Sequence, residues 1–182
     1  EDNKFVFKPN MVKYKVDKDS EMGKKIEKSD VGIVLHLKKD VETLENLCAA
    51  LSELEDTVLI FTKPNADVGH SDLANWLSHY VEKNENAFLY GSLGQTRYYS
   101  CLKFVDGVVG NSSSGLLEAP TFEIGTVNIG DRQNYREQNK NIFNAIYNTN
   151  HIFNKINIEI KNKSKFLNII NIHGDGNSSN RI

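Results

Sequence analysis

Val31-Gly32-Ile33-Val34-Leu35-His36 is an apolar run closed by a histidine, and the period of the chain changes directly after it. Leu44, Leu47, Cys48, Leu51 and Leu54 then recur at three- and four-residue spacing, the stripe of an amphipathic helix. A fully buried strand followed by such a helix is the building unit of parallel α/β sheets. The unit repeats along the chain. Thr57–Thr62 reads as a second strand from its β-branched and aromatic content. Leu73, Trp76, Leu77 and Tyr80 then place a helix over about Ser71–Val81. Ala87–Tyr90 precedes a helix over about Leu93–Phe104, and Gly107–Gly110 precedes one over about Ser114–Phe122. Thr126–Ile129 closes the series as a fifth strand. Short connections between these elements predict one Rossmann-like α/β domain, a parallel sheet with right-handed crossovers and helices on both faces.

Composition bounds the function. A chain of 182 residues fits one domain and is long enough to bury a real core. Its 22 Lys and Arg against 24 Asp and Glu leave a formal charge of −2, with no basic field for nucleic acid or an anionic membrane. Neither is an expected partner. No apolar run is long enough for a membrane-spanning helix. Cys48 and Cys101 are too few for a disulfide framework, which favours a reducing compartment and a cytoplasmic location. The chain opens at Glu1 without a charged-then-apolar leader, so it reads as an excised part of a longer protein with no signal peptide. Residues 1–30 are rich in Lys and Asp without periodicity and read as a lead-in or linker, leaving 31–182 as the domain. From Asn134 onward there are 13 asparagines in 49 residues, against 9 in the first 133. Asn is a poor helix former, so this tail is expected to be less regular.

In a parallel sheet, ligands bind beyond the carboxyl ends of the strands. The polar clusters fall there: His36, Lys63-Pro64-Asn65-Ala66-Asp67, Gly91-Ser92, Asn111-Ser112-Ser113-Ser114-Gly115 and Gly130-Asp131-Arg132-Gln133. The serine run lies where a strand meets a helix, a position that suits a phosphate or diphosphate. No lysine follows it, which separates it from a nucleoside-triphosphate P-loop. A serine cap in a tight turn accounts for the same residues equally well. Glu118 follows Ser114 by one helical turn, where a carboxylate can accept from a vicinal diol such as ribose; a solvated glutamate is the plainer alternative. His70, His79, His151 and His173 show no ligand spacing, and no metal or cofactor is expected. Tyr98 and Tyr99 fit helix–sheet packing better than base stacking.

Several strings together resemble a known family. They are Phe61-Thr62-Lys63-Pro64-Asn65-Ala66-Asp67, Ser92-Leu93-Gly94-Gln95-Thr96-Arg97-Tyr98, and Gly110-Asn111-Ser112-Ser113-Ser114-Gly115-Leu116-Leu117-Glu118-Ala119-Pro120. Val127-Asn128-Ile129-Gly130-Asp131-Arg132-Gln133 and the terminal run from Gly174 to Ile182 continue the series in order. The chain is thus similar, from about residue 31 to 182, to the C-terminal, UDP-binding half of UDP-N-acetylglucosamine 2-epimerases. It looks closest to their hydrolysing, sialic-acid-pathway branch.

The resemblance implies one domain of a two-domain, B-type glycosyltransferase architecture. It implies that Ser112 and Ser113 hold the diphosphate, that Glu118 holds the ribose, and that Arg132 lies near the phosphates or the hinge. His36 would be the catalytic residue of this half, with Asn65, Asp67 and Ser92 on substrate-binding loops. The implied partners are a UDP-sugar and the N-terminal half of the same protein, in a homo-oligomer when full length. The family's proton-transferring carboxylates belong to that other half, so this chain alone is expected to bind UDP and turn nothing over. The pattern has departures. Leu37-Lys38-Lys39 follows His36 where proline is usual, and Gly125 stands where proline is common. Tyr135 replaces a glycine, which would strain the loop carrying Arg136 if that position needed positive φ. A non-catalytic nucleotide-sugar-binding or regulatory domain, and the donor domain of a glycosyltransferase, remain the other readings.

Overall fold

The computed structural model of the protein describes residues 24–25, 31–36, 41–63, 70–161 and 166–174. Five strands stand close to where periodicity placed them: β1 (Val31–His36), β2 (Thr57–Thr62), β3 (Ala87–Tyr90), β4 (Gly107–Gly110) and β5 (Gly125–Ile129). A sixth, β6 (Ile142–Ala145), extends the sheet beyond β5. The order is β3-β2-β1-β4-β5-β6 and every pair is parallel. Helices α1 (Val41–Ser52), α2 (His70–Lys83), α3 (Gly94–Leu102), α4 (Ser113–Leu117) and α5 (Thr149–Lys161) lie between or after the strands. This is the doubly wound Rossmann-like arrangement. The segment 1–30, read as a lead-in, lies almost wholly outside the described residues.

Alternation along β1 explains why it reads as continuous apolar sequence. Ile33 and Leu35 turn to one face, against Leu44, Leu47 and Leu51 of α1, Leu73 and Leu77 of α2, and Ile152 and Ile156 of α5. Val34 turns to the other, where Val58, Ile60, Leu102, Val105, Val108 and Ile124 pack. A strand buried on both faces carries no polar alternation.

Two expectations are corrected. The Asn-rich tail holds more order than its composition predicts: among its described residues lie β6 and the 13-residue α5, between turns. Asn costs only some tenths of a kcal/mol per helical position, whereas burying an isoleucine contributes about 1.5–3 kcal/mol. Ile152 and Ile156, four apart and fully buried, therefore decide the segment. The helix expected over Ser114–Phe122 is broken: α4 stops at Leu117 and a 3-10 turn takes over at Ala119–Phe122. Pro120 has no N–H and its ring would crowd the carbonyl four residues back, so an α-helix cannot run through it.

Gly125, where the family pattern favours proline, has a packing reason. A Cβ there would come 2.5 Å from Glu159 Cγ and 2.9 Å from Phe166 Cε2. Gly107, at the matching end of β4, faces the same glutamate, whose carboxylate occupies the space a side chain would need.

Candidate functional site

The carboxyl ends of the strands form one row, in which His36 is level with Gly110, Gly110 with Asn128, and Thr62 with Tyr90. The strand order runs outward in both directions from β1 and β4, so the crevice between them is the topological switch point. Beside it lies a cavity of about 370 Å³. Among the described residues, three strand ends supply its wall. Thr62 and Lys63 come from β2, residues 91–95 with Tyr98 and Tyr99 from the β3–α3 segment, and Ser112, Ser114 and Glu118 from beyond β4.

The serine turn is built locally. Gly110 leaves β4 at φ +150°, a conformation glycine tolerates and other residues rarely adopt. Ser112 is extended, and its Oγ accepts from the Ser114 N–H at 3.4 Å, capping α4. Ser114 Oγ donates to Ser112 Oγ at 3.2 Å and lies 3.0 Å from the Tyr98 hydroxyl. Because α4 has only five residues, its dipole is short. Attraction for an anion therefore rests chiefly on the hydroxyls and on Lys63, the cation in the wall.

Glu118 remains one turn from Ser114, its N–H donating to the Ser114 carbonyl at 2.9 Å despite the break that follows. Its carboxyl is half-buried in the same wall. Burial raises its pKa above the ordinary glutamate value, and a hydrogen bond with Tyr99 opposes that shift. Burial likewise pushes the phenol of Tyr98 well above its usual range, so it remains a neutral donor or acceptor beside Ser114.

Of the residues singled out from sequence, Ser92, Ser112 and Glu118 meet around this cavity. Ser92 also accepts from the Gly94 N–H at 3.1 Å, shaping the loop before α3. Ser113 belongs to the turn but is not among the wall residues. Arg132 is exposed on the neighbouring loop, with Nη1 3.4 Å from the Asn111 carbonyl. His36 ends β1 beside Gly110; its side chain lies outside the described set, as do Asn65 and Asp67 entirely. Tyr135 is not among the described residues with positive φ, so the strain expected from replacing a glycine does not arise.

Lys63, Gln95, Tyr98 and Tyr99 were not marked as binding residues, yet all border the cavity. Tyr99 packs in the core, against Phe122, and also borders the cavity. The available signal was position, since α3 begins at the carboxyl edge and its first two turns must overlook any site there. The remaining histidines with described side chains are held by local backbone: His79 by the Asn75 carbonyl, His151 by the Ile146 N–H and His173 by the Glu137 carbonyl. Among the described residues no three His, Cys, Asp or Glu groups converge as metal ligands, and no helix is long and apolar enough to cross a membrane.

The sequence pattern of the family described as UDP-N-acetylglucosamine 2-epimerase matches residues 6–182, beginning upstream of the motifs quoted above. The chain is 37% identical over 114 residues to the GDP/UDP-N,N'-diacetylbacillosamine 2-epimerase (hydrolyzing) of Campylobacter jejuni, covering 62% of this chain and 30% of that protein. It is 30% identical over 130 residues to the polysialic acid biosynthesis protein P7 of Escherichia coli, covering 71% and 32%. The chain thus spans about a third of the length of these curated relatives. Among solved structures, it is similar to the UDP-GlcNAc 2-epimerase of Methanocaldococcus jannaschii in complex with UDP-GlcNAc and UDP. The TM-score is 0.67 at 17% identity, over 90% of this chain and 48% of that one.

Proposed function

The chain belongs to the UDP-N-acetylglucosamine 2-epimerase family, and from that membership we propose that it is the UDP-binding part of a hydrolysing UDP-sugar 2-epimerase. The carrying observation is that Ser112, Ser114 and Glu118 border one cavity at the carboxyl edge of the sheet. On this reading the Ser112-Ser113-Ser114 turn and Lys63 hold the diphosphate, Glu118 accepts from the ribose hydroxyls, and Ser92 lines the nucleoside side. By the family resemblance, His36 is assigned to the reacting sugar and diphosphate, Arg132 to the phosphates or the hinge, and Asn65 and Asp67 to a loop at the cleft.

The proposed reaction removes the proton at C2 of the sugar and breaks the C1–O bond to expel UDP. Water then adds at C1, with a proton returned to C2 from the opposite face. It needs a base and an acid on opposite faces and donors that stabilise the leaving diphosphate. On this reading the serine turn and Lys63 supply the second requirement. The carboxylates that meet the first belong, in this proposal, to the other half of the complete enzyme. The names of the Campylobacter and Escherichia relatives favour hydrolysis and a sialic-acid-like product.

Calorimetric titration of the 182-residue chain with UDP tests this reading. The expected result is binding that weakens about tenfold or more in Glu118→Ala, with no turnover of UDP-N-acetylglucosamine by this chain alone. The accepting form of Glu118 is the carboxylate, and its pKa is raised by burial. Affinity is therefore expected to fall on acidification earlier than an exposed glutamate would give. No heat at millimolar UDP would overturn the proposal.

A further inference from the structure

Two side chains of the β5–β6 loop meet on one atom of the serine turn. Gln133 Nε2 donates to the Asn111 carbonyl at 3.0 Å, and Arg132 Nη1 approaches the same oxygen at 3.4 Å. Arg132 is exposed, but Gln133 and Asn111 are buried, at 3% and 1% exposure. We infer that Gln133 is a positioning residue, fixing the serine turn through the carbonyl that precedes it.

Peptide geometry gives the lever. The Asn111 carbonyl and the Ser112 N–H belong to one planar unit, so holding the oxygen fixes that plane and the start of Ser112. Upstream, Gly110 is the most permissive residue of the segment, so without a clamp the plane would be free to rock. Downstream, Ser112 caps α4 and borders the cavity. An error at Asn111 is therefore carried directly into the hydroxyls.

Gln133 also carries a cost that simple filling would not. Its Oε1 is buried without a hydrogen-bond partner, and a methionine of similar volume would avoid that penalty. What the amide adds over methionine is its donation to Asn111.

The inference rests on the UDP-binding reading for its consequence, but not for its geometry. In the ligand-free chain, Gln133→Met is expected to fold and to displace the amide NMR signals of Ser112–Ser114. UDP affinity is expected to drop roughly three- to tenfold, the scale set by loss of one positioning hydrogen bond. Gln133→Glu is the second variant. Its ionised carboxylate cannot donate, whereas on acidification its O–H can, so the signals should move back towards their wild-type positions. A space-filling role would not give that return. Wild-type signals in both variants, or a displaced turn with wild-type UDP affinity, overturns the inference. Should the wild-type chain bind no UDP, the UDP-binding reading fails and the amide signals alone decide the role of Gln133.

Discussion

Glu159 carries a carboxyl into the interior of the sheet–helix interface, with Oε1 buried and unpartnered. Burial raises its pKa well above the ordinary glutamate value; a hydrogen bond from the Val108 N–H opposes this, and the nearby charge of Asp106 adds to it. The folded chain therefore holds a proton that the unfolded chain releases. Stability from this group is full below the ordinary glutamate pKa and is lost as pH rises from there through the folded-state value. Glu159→Gln removes the dependence. The variant should exceed wild type by about 1–3 kcal/mol at pH 8, the cost range of a mismatched buried polar group, with the margin shrinking towards pH 4.5. Urea unfolding across that range checks it, and a margin independent of pH would contradict it. The burial of this glutamate runs against its own polarity. In Ile158-Glu159-Ile160 the glutamate looks like the solvated residue, yet Ile158 is 41% exposed and Glu159 only 1%. Glu159 stands seven residues from Ile152 and three from Ile156, on the buried face of α5, because burial follows the helix face and not the residue's own polarity.

At the element scale, α5 meets β4 and β5 across two glycines that serve close approach. Gly107→Ala would thrust a methyl into the Glu159 carboxylate, at a cost of roughly 1–3 kcal/mol for overpacking. The cost should shrink markedly in a Glu159→Ala background, where the methyl has room. A double-mutant cycle by chemical unfolding measures that coupling, and additive effects would mean that the contact does not limit packing there. Elements were legible wherever apolar spacing was strong, as in β1 to β5 and α1 to α3. The misreadings have separate physical causes. At Pro120 a backbone constraint overrode a continuing amphipathic pattern. In β6 and α5, tertiary burial overrode the low propensity of asparagine. Neither Gly107 nor Gly125 announces a helix packed against it, because that contact joins residues far apart in sequence.

At the scale of the whole molecule, sequence alternation implied a parallel sheet and hence a binding edge, but not which loops would share a cavity. Polar clusters follow five strands, yet the cavity draws on those after β2, β3 and β4, while the β5 loop acts at one remove through Asn111. The three contributing ends lie on both sides of β1, and, among the described residues, the loop after β5 reaches the cavity only through its contact with the Asn111 carbonyl. A ligand there would join loops anchored in both halves of one sheet, so its binding energy should be felt by global unfolding and not only by the loops. At about a hundredfold excess over Kd, UDP should stabilise the fold by about 2.7 kcal/mol, raising the thermal midpoint by about 5–10 °C for a chain of this size. The single tryptophan, Trp76 of α2, stacks on Tyr80 at a centroid distance of 5.4 Å and lies outside the cavity wall. Its fluorescence should therefore report the same midpoint and the same UDP shift as far-UV circular dichroism, and the shift should largely vanish in Glu118→Ala. A UDP shift in one probe without the other would show that the two sides of the sheet do not unfold as a unit.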